Sequence, residues 1–421
     1  MDYKRHTRCR VCDNDKLIPY LDLGNMPLSN NLATTDDDPI HEQSYPLQVL
    51  FCEKCGLSQL SIVIPAESMF SNYVYRSSIS RSFLNHCKHM ALQLREKYKL
   101  GRDTVHVDIA GNDGALLDQF RQVLHHHVLN IDPAVNLYAA CQTMRIPMLT
   151  KFWNLQTAHM VINGGLLNVG SSKSDESNVR RAGADLITAT NVFAHVDDVH
   201  EFLDAVKRIL LPTGVLVLEF PYLIDFLEKN EFDTVYFEHL SYFSIYPLTL
   251  LCQKMGLNVM SVSKQDIHGG SVRVEIGYGP QDDTVAPYVI NERHHYGKVE
   301  RYHQFAADVD ICVSEFARNV RQLPGKVAAF AASAKGNTLL NCARIDTNVI
   351  QYIVDETPEK LGRWSPGVRI PIVSIHDMMR TPPDYLVILS WNFATEIMTK
   401  CRTAGYRGQF VIPIPRFSVV E

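Results

Sequence analysis

The sequence predicts an α/β protein in three parts: a small metal-binding unit, a central doubly wound parallel sheet, and a second α/β unit. Three observations predict it. Two C-x-x-C pairs stand at Cys9/Cys12 and Cys52/Cys55. Apolar strands and amphipathic helices alternate from residue 105 to about residue 220, and the alternation starts again near residue 327. A chain of 421 residues holds two to four domains at roughly 100–200 residues each. The boundaries are placed at 1–78, 79–279 and 280–421.

In the first unit, "CRVC" and "CEKC" each leave two residues between thiols. That spacing lets the chain turn back so that both thiolates reach one Zn2+ at ~2.3 Å. Cys9, Cys12, Cys52 and Cys55 fill all four positions of a tetrahedron, so the expected zinc is structural. The intervening "LDLGNMPLSNNL" reads as a strand-turn-strand insertion. The six other cysteines are scattered singly, as expected of free thiols in a reducing compartment. No apolar run reaches the ~20 residues that span a bilayer, and "MDYKRHTRCR" lacks the apolar core of a secretory signal. A soluble, cytoplasmic protein with no membrane partner is expected. A net charge of −5 without a basic stripe argues against a grip on nucleic-acid phosphates.

After "SNYVYRSSISRSFLNH" the chain turns helical through "HCKHMALQLREKYKL". "DTVHVDIAGNDGALLDQF" follows: alternating Val105, Val107 and Ile109, a glycine turn, then an amphipathic helix from Ala115. This is not G-x-G-x-x-G. An acidic residue closing a strand before such a turn is closer to the first motif of class I S-adenosylmethionine (SAM) methyltransferases. Asp108, Ala110, Asn112 and Gly114 are the cofactor candidates there. Asp132 closes the next strand in "HVLNIDPA", where a carboxylate could accept both ribose hydroxyls. Asn191 follows the third strand, "ADLITATNVFAHVDD", and joins the cofactor set. "DDVHEFLDAVKRILLPTG" reads as a helix ending at Pro212 and Gly214, before a fourth strand, "GVLVLEFPY". The Gly/Ser-rich "GGLLNVGSSKSDESNVRRAGAD" reads as a surface loop.

The last unit carries an amphipathic helix over "RYHQFAADVDICVSEFARNVRQL", then strand "KVAAFAAS", turn "AKGNT" and helix "LLNCARI". Strands follow in "VIQYIVDETPEKLG" and "DYLVILSWNFATEIMTKC", giving a Rossmann-like unit. The "SAKGN" turn at a helix N-terminus is a candidate pyrophosphate seat, with Lys335 as point charge and Asn337 beside it. "HGGSVR", from His268 to Arg273, is placed at the junction with the central unit. Arg273 could reach a phosphate there or pair with an acid.

The order of "YVYRSS", "NVFAHV", "YFEHLSYFS", "HGGSVRV" and "AKGNTLLN" behind a four-cysteine unit resembles the sugar C-methyltransferases of deoxysugar biosynthesis. Those enzymes use SAM and nucleotide-linked keto sugars. The resemblance spans nearly the whole chain and implies a zinc domain, a class I SAM-methyltransferase Rossmann-like domain and a C-terminal α/β domain that helps hold the nucleotide sugar. It implies a C-3 or C-5 methyltransfer, with thymidine diphosphate the commonest handle. It maps Tyr73, Tyr75, Ser77 and Ser78 onto a segment closing over the sugar, and places His195 in the active site. The sequence departs from it twice: Phe237 stands where a histidine is expected in "Y-H-E-H", and Ala110 where the cofactor turn begins with glycine.

Carbon methylation needs a base, a group that stabilises an enolate oxygen, and tight positioning. His239 is the candidate base, since an imidazole is neutral near pH 7. Tyr236 is the candidate donor to the enolate oxygen. Glu238 could orient an imidazole or hold ring hydroxyls, and in an extended segment it would face away from His239. Two other readings stand beside this one: a zinc-knuckle nucleic-acid methyltransferase, and a non-catalytic interaction protein. Monomer and dimer both remain open.

Overall fold

The computed structural model describes residues 3–34, 42–124, 126–167, 183–267 and 269–421. His268 and most of the Gly/Ser-rich loop, at 168–182, lie outside the described residues.

The central sheet has seven strands, in the order Asn258–Gln265, Ser271–Gly277, Leu210–Pro221, Ala184–Thr190, Val105–Ile109, His127–Ile131 and Met148–Leu149. All pairings are parallel except those of Ser271–Gly277, which runs against both its neighbours. Strand order reverses between Val105–Ile109 and Ala184–Thr190, which makes a topological switch point there. The strands are apolar because helices cover both faces. Helix Arg81–Tyr98 presents Phe83, Cys87, Met90, Ala91 and Leu94 at helical spacing and is capped by Ser80 Oγ, which accepts from Phe83 N at 3.3 Å. Helix Val199–Ile209 is capped by Asp198, which accepts from the amides of His200 and Glu201. It ends at Ile209. The expected extension to Gly214 is instead the start of strand Leu210–Pro221, whose register shifts between Leu210 and Val215.

The N-terminal unit is a four-stranded antiparallel sheet. Leu17–Pro27 is one continuous strand with two register shifts against Ser44–Cys52, where a strand-turn-strand was expected. A bulge absorbs Gly24, at φ 77°, without reversing the chain. The fourth strand comes from far along the sequence: Ser241–Tyr242 pairs with Ser58–Leu60. The chain segment around Tyr236 to His239 is therefore stitched to the front of the molecule.

Helix Val299–Arg321 packs on the N-terminal sheet, with Tyr302 buried against Tyr20 and Phe51 at ring separations of 5.1 and 4.4 Å. The C-terminal sheet follows in the order Ile372–Val373, Ile353–Val354, Val327–Phe330, Tyr385–Ile388, Gln409–Ile412, Ser418–Val420. Its order reverses between Val327–Phe330 and Tyr385–Ile388, giving a second switch point. Among the described residues no helix is long and apolar enough to cross a membrane.

Candidate active site

The two switch points open onto one cavity of about 660 Å³. The central sheet contributes Asp108, Ala110, Gly111, Asn112, Asp132 and Asn191. The C-terminal sheet contributes Ser333, Lys335 and Ser390, and the N-terminal part adds Asn30, Tyr73 and Tyr75. Crevices at the carboxyl ends of parallel strands are where open α/β sheets bind ligands.

On the central side, the turn after Val105–Ile109 takes alternate left-handed residues: Ala110 at φ 50°, Asn112 at 54° and Gly114 at 84°. A methyl group at a left-handed position is strained, which is the physical cost of Ala110 where glycine is expected. Gly111 must lack a side chain, because a Cβ there would lie 2.5 Å from Asp108 Oδ2 and 2.6 Å from Asn130 Oδ1. Asp132 accepts from Asn112 N at 2.9 Å and Ala134 N at 2.8 Å. Burial pushes it up to about 6 against those two donors. Tyr73 and Tyr75 belong to a strap tied to this turn. Ser77 N donates to Asn112 Oδ1 at 3.0 Å, and Asn112 Nδ2 donates to Tyr75 O at 3.1 Å.

Across the cavity four rings are layered. Phe70 stacks on His195 at 5.5 Å, His195 on His239 at 5.0 Å, and His239 lies against Tyr236 at 4.0 Å. His239 Nδ1 lies 2.7 Å from Thr234 O, a carbonyl that can only accept. The proton therefore sits on Nδ1, and Nε2 accepts from Tyr236 Oη at 2.8 Å. Burial, with His195 adding to it, pushes His239 well below the ordinary imidazole pKa, and burial pushes His195 down to about 4. Both rings are neutral. His195 Nε2 is buried and has no partner among the described residues. Lys335 Nζ is likewise buried without a hydrogen bond among the described residues, and lies over the Trp391 ring, 5.2 Å from its centroid. Lys335 stands in the first turn of helix Ala334–Ala343, capped by Ser333.

At the front of the molecule the sulfur atoms of Cys9 and Cys55 are 3.5 Å apart, and those of Cys12 and Cys52 3.6 Å. All four lie within 4.8 Å of one another. Thiolates ~2.3 Å from a tetrahedral Zn2+ are about 3.8 Å apart, so the donor set fits zinc. Each knuckle closes alike: Asp13 N donates to Cys9 O and Gly56 N to Cys52 O, at left-handed residues with φ 59° and 77°. Arg10, inside the first knuckle, is fully covered. Its Nη1 donates to Leu240 O at 3.2 Å and to Leu60 O at 3.3 Å, and its Nε to Asp197 Oδ1 at 3.2 Å. Leu240 follows His239 and Asp197 lies two residues after His195, so one knuckle arginine braces both segments that carry cavity histidines.

Several expected site residues stand elsewhere. Arg273 is buried in an ion pair, with Nε 2.6 Å from Glu219 Oε1 and Nη1 2.7 Å from Gln93, and does not face the cavity. Of the two roles left open for it, the structure takes the acid pair. Asn337 donates to Ser29 O at 2.6 Å and lines no part of the cavity. Ser78 donates its amide to Asp113; Ser77 lines the wall instead. Gly114 shapes the turn from beneath, against Ile146 and Cys141. Glu238 sits one layer behind the wall, accepting from Asn30 Nδ2 at 2.6 Å and Tyr73 Oη at 3.1 Å. It does not touch His239, as its direction in the sequence suggested. Phe237 is buried edge-on against Tyr45 at 5.8 Å, so the position points into the core and away from the rings. Arg10, Asn30, Phe70 and Asn392 were not foreseen. Asn392 lines the cavity just beyond the carboxyl end of strand Tyr385–Ile388.

Three domain families match the sequence: a zinc binding domain over residues 9–70, a methyltransferase domain over 84–262, and a C-methyltransferase C-terminal domain over 266–415. A curated relative, C-methyltransferase NovU of Streptomyces niveus, is 33% identical over 422 residues, covering 98% of this chain and 96% of that one. The chain belongs to the C-methyltransferase family. It is a methyltransferase that uses SAM and carries a structural zinc on its four N-terminal cysteines. Solved structures that align include the plantazolicin methyltransferase BpumL in complex with SAH, 11% identical over 47% of this chain and 84% of that one with a TM-score of 0.34. Magnesium protoporphyrin IX methyltransferase (ChlM) of Synechocystis PCC 6803 aligns with 46% of this chain and 82% of its own, 11% identical, with a TM-score of 0.33.

Proposed function

We propose that the C-methyltransferase acts on a ring carbon beside the ketone of a nucleotide-linked 4-keto-deoxysugar, with thymidine diphosphate as the handle. The observation that carries this reading is the pairing of His239 with Tyr236 on the wall of a cavity fed by two switch points. One crevice suits the cofactor and the other the nucleotide. Asp108, Ala110, Asn112, Asp132 and Asn191 would hold SAM. When bound, SAM supplies an electrophilic methyl group on its sulfonium.

The substrate carbon becomes nucleophilic by losing its α-proton. His239 is fixed as the Nδ1–H tautomer by Thr234 O, which leaves Nε2 basic. Because Nε2 already accepts from Tyr236, the two side chains act as a unit. The α-proton passes to Tyr236 Oη as the phenolic proton passes to Nε2, leaving an enolate and an imidazolium. Lys335 and the helix N-terminus beneath it would hold the pyrophosphate, and the unpartnered His195 Nε2 would take a sugar hydroxyl. The three-domain division at 78 and 279 is part of this reading, each part supplying one wall.

Mass spectrometry with methyl-labelled SAM and a panel of nucleotide-linked 4-keto-6-deoxysugars tests it. Label on a ring carbon supports the reading. Label on oxygen or nitrogen removes the enolate and the role given to His239. Label on no sugar, with SAM bound, rejects the substrate class.

A further inference from the structure

Two more histidines meet behind the cofactor turn. His106 is fully buried on strand Val105–Ile109, and His126 stands 5.4 Å away, ring to ring, at 17°. Neither lines the cavity. Their nitrogens start a continuous chain. His126 Nε2 is 3.2 Å from His106 Nδ1, His106 Nε2 is 2.8 Å from Thr188 Oγ1, and Thr188 Oγ1 is 2.6 Å from Asp108 Oδ1. Strand register builds it. Asp108 pairs with Thr188 across parallel strands, and residues 106 and 108 share one face.

The direction of the chain follows from its far end. A carboxylate only accepts, so the single hydroxyl proton of Thr188 goes to Asp108. Thr188 Oγ1 then accepts from His106 Nε2–H. A neutral imidazole has one N–H, so His106 Nδ1 accepts from His126 Nε2–H. Three donors in series point at one carboxyl oxygen. Its partner, Asp108 Oδ2, has no hydrogen bond among the described residues.

We infer that Thr188 and His106 are positioning residues for the cofactor: the relay holds Asp108 as a carboxylate in the cavity wall and thereby sets the affinity for cationic SAM. The inference rests on cofactor binding alone, not on the sugar. Burial pushes Asp108 up to about 7, the Thr188 hydrogen bond pulls it back, and the charge of Asp132 pushes it further up. From helix Arg81–Tyr98 the Cys87 thiol faces it. Beyond that thiol lies Glu219, itself paired with Arg273 and hydrogen-bonded to His86. Burial, then His126, holds His106 well below its ordinary pKa, so it adds no charge of its own. Without Thr188 the carboxyl keeps its proton to higher pH, and the cation loses its counter-charge.

Calorimetric SAM affinity of the full chain from pH 6 to 9 decides, on wild type, Thr188→Ser, Thr188→Val and His106→Phe, with melting temperatures alongside. A hydrogen bond to a charged group is worth about one unit of pKa or more. Thr188→Val is expected to bind SAM about tenfold more weakly at pH 6.5 and to converge on wild type by pH 9. Thr188→Ser keeps the wild-type profile, and His106→Phe shifts it the same way by less. A Thr188→Val profile superimposable on wild type overturns the inference. So does a loss that is uniform across pH and shared by Thr188→Ser, which would be packing. Should His106→Phe fail to fold, the two Thr188 variants decide alone.

Discussion

His106 with His126, and His195 with His239, repeat one arrangement in two places. The rings of each pair stack, at 5.4 Å and 17° in the first and 5.0 Å and 20° in the second. Burial keeps all four below the ordinary imidazole pKa. What differs is where the nitrogens lead. In the core pair the chain runs inward to one carboxylate. In the cavity pair His239 is fixed from behind by a backbone carbonyl and ends on a tyrosine at the cavity wall, while His195 keeps a nitrogen without a partner. Residue type and ring stacking do not distinguish the two pairs; the atoms bonded to each nitrogen do.

Removing zinc should sharpen this contrast most. About one zinc per chain is expected, and structural zinc sites of this kind are worth on the order of 10 kcal/mol. Strong chelation should therefore unfold the N-terminal unit, seen as loss of near-ultraviolet circular dichroism together with metal release. Chelation that abolishes turnover while the chain stays folded would mean a catalytic metal, and the cavity pair would not be the proton-handling group. Next in size is His239→Asn. Loss of a general base costs about a hundredfold or more, while SAM affinity by calorimetry should hold. His106→Phe should do the reverse, weakening SAM with turnover kept at saturating cofactor. A His239→Asn variant that turns over normally would break the comparison outright.

Arg10→Met is a smaller test. It removes the brace to Leu240 O and Asp197, next to the cavity pair and remote from the core pair. Turnover is expected to fall about tenfold through misplacement of His239, with SAM affinity unchanged and one zinc retained. Equal losses in turnover and SAM affinity would show that Arg10 supports the whole fold and not that pair.

The division between what the sequence disclosed and what it hid follows the range of the interactions. Periodicity located four of the seven strands of the central sheet and three of the six of the C-terminal one, and spacing located the zinc ligands, because those signals are local. Strand Ser271–Gly277 went unread, since "HGGSVR" was placed at a junction and its glycines masked the strand, and its partner Asn258–Gln265 went unread with it. The Asp108 turn was legible because strained backbone needs particular residues. Arg10 was invisible: between two cysteines an arginine looks like surface, and only the distant arrival of Leu240 and Asp197 buries it. Thr188 was equally hidden, because its role depends on strand register, which one strand alone does not state. Arg273 was left between two roles for the same reason, its partner Glu219 lying on the neighbouring strand.

The smallest effect concerns acid stability, where the two pairs should behave alike. His126 and His195 are both held at about 4 by burial, below the ~6.5 of an unfolded histidine. Below pH 6.5 the unfolded chain binds protons that the folded chain refuses, so stability falls as pH falls toward 4. By pH 5 each costs about 2 kcal/mol. Buried carboxyls act in the opposite sense: Asp108 at about 7, Asp132 at about 6 and Glu238 at about 7 are protonated in the folded chain first, and gain stability over the same interval. Total stability hides the histidines behind that gain, but differences between variants do not. Urea unfolding at pH 7.5 and pH 5.0 should show His126→Phe and His195→Phe each gaining stability relative to wild type on acidification, by similar amounts of about 2 kcal/mol. A relative gain in His126→Phe alone would mean that His195 takes up a proton in the folded chain. The cavity pair would then hold an imidazolium, and the difference between the pairs would begin with charge before it reached the hydrogen-bond partners.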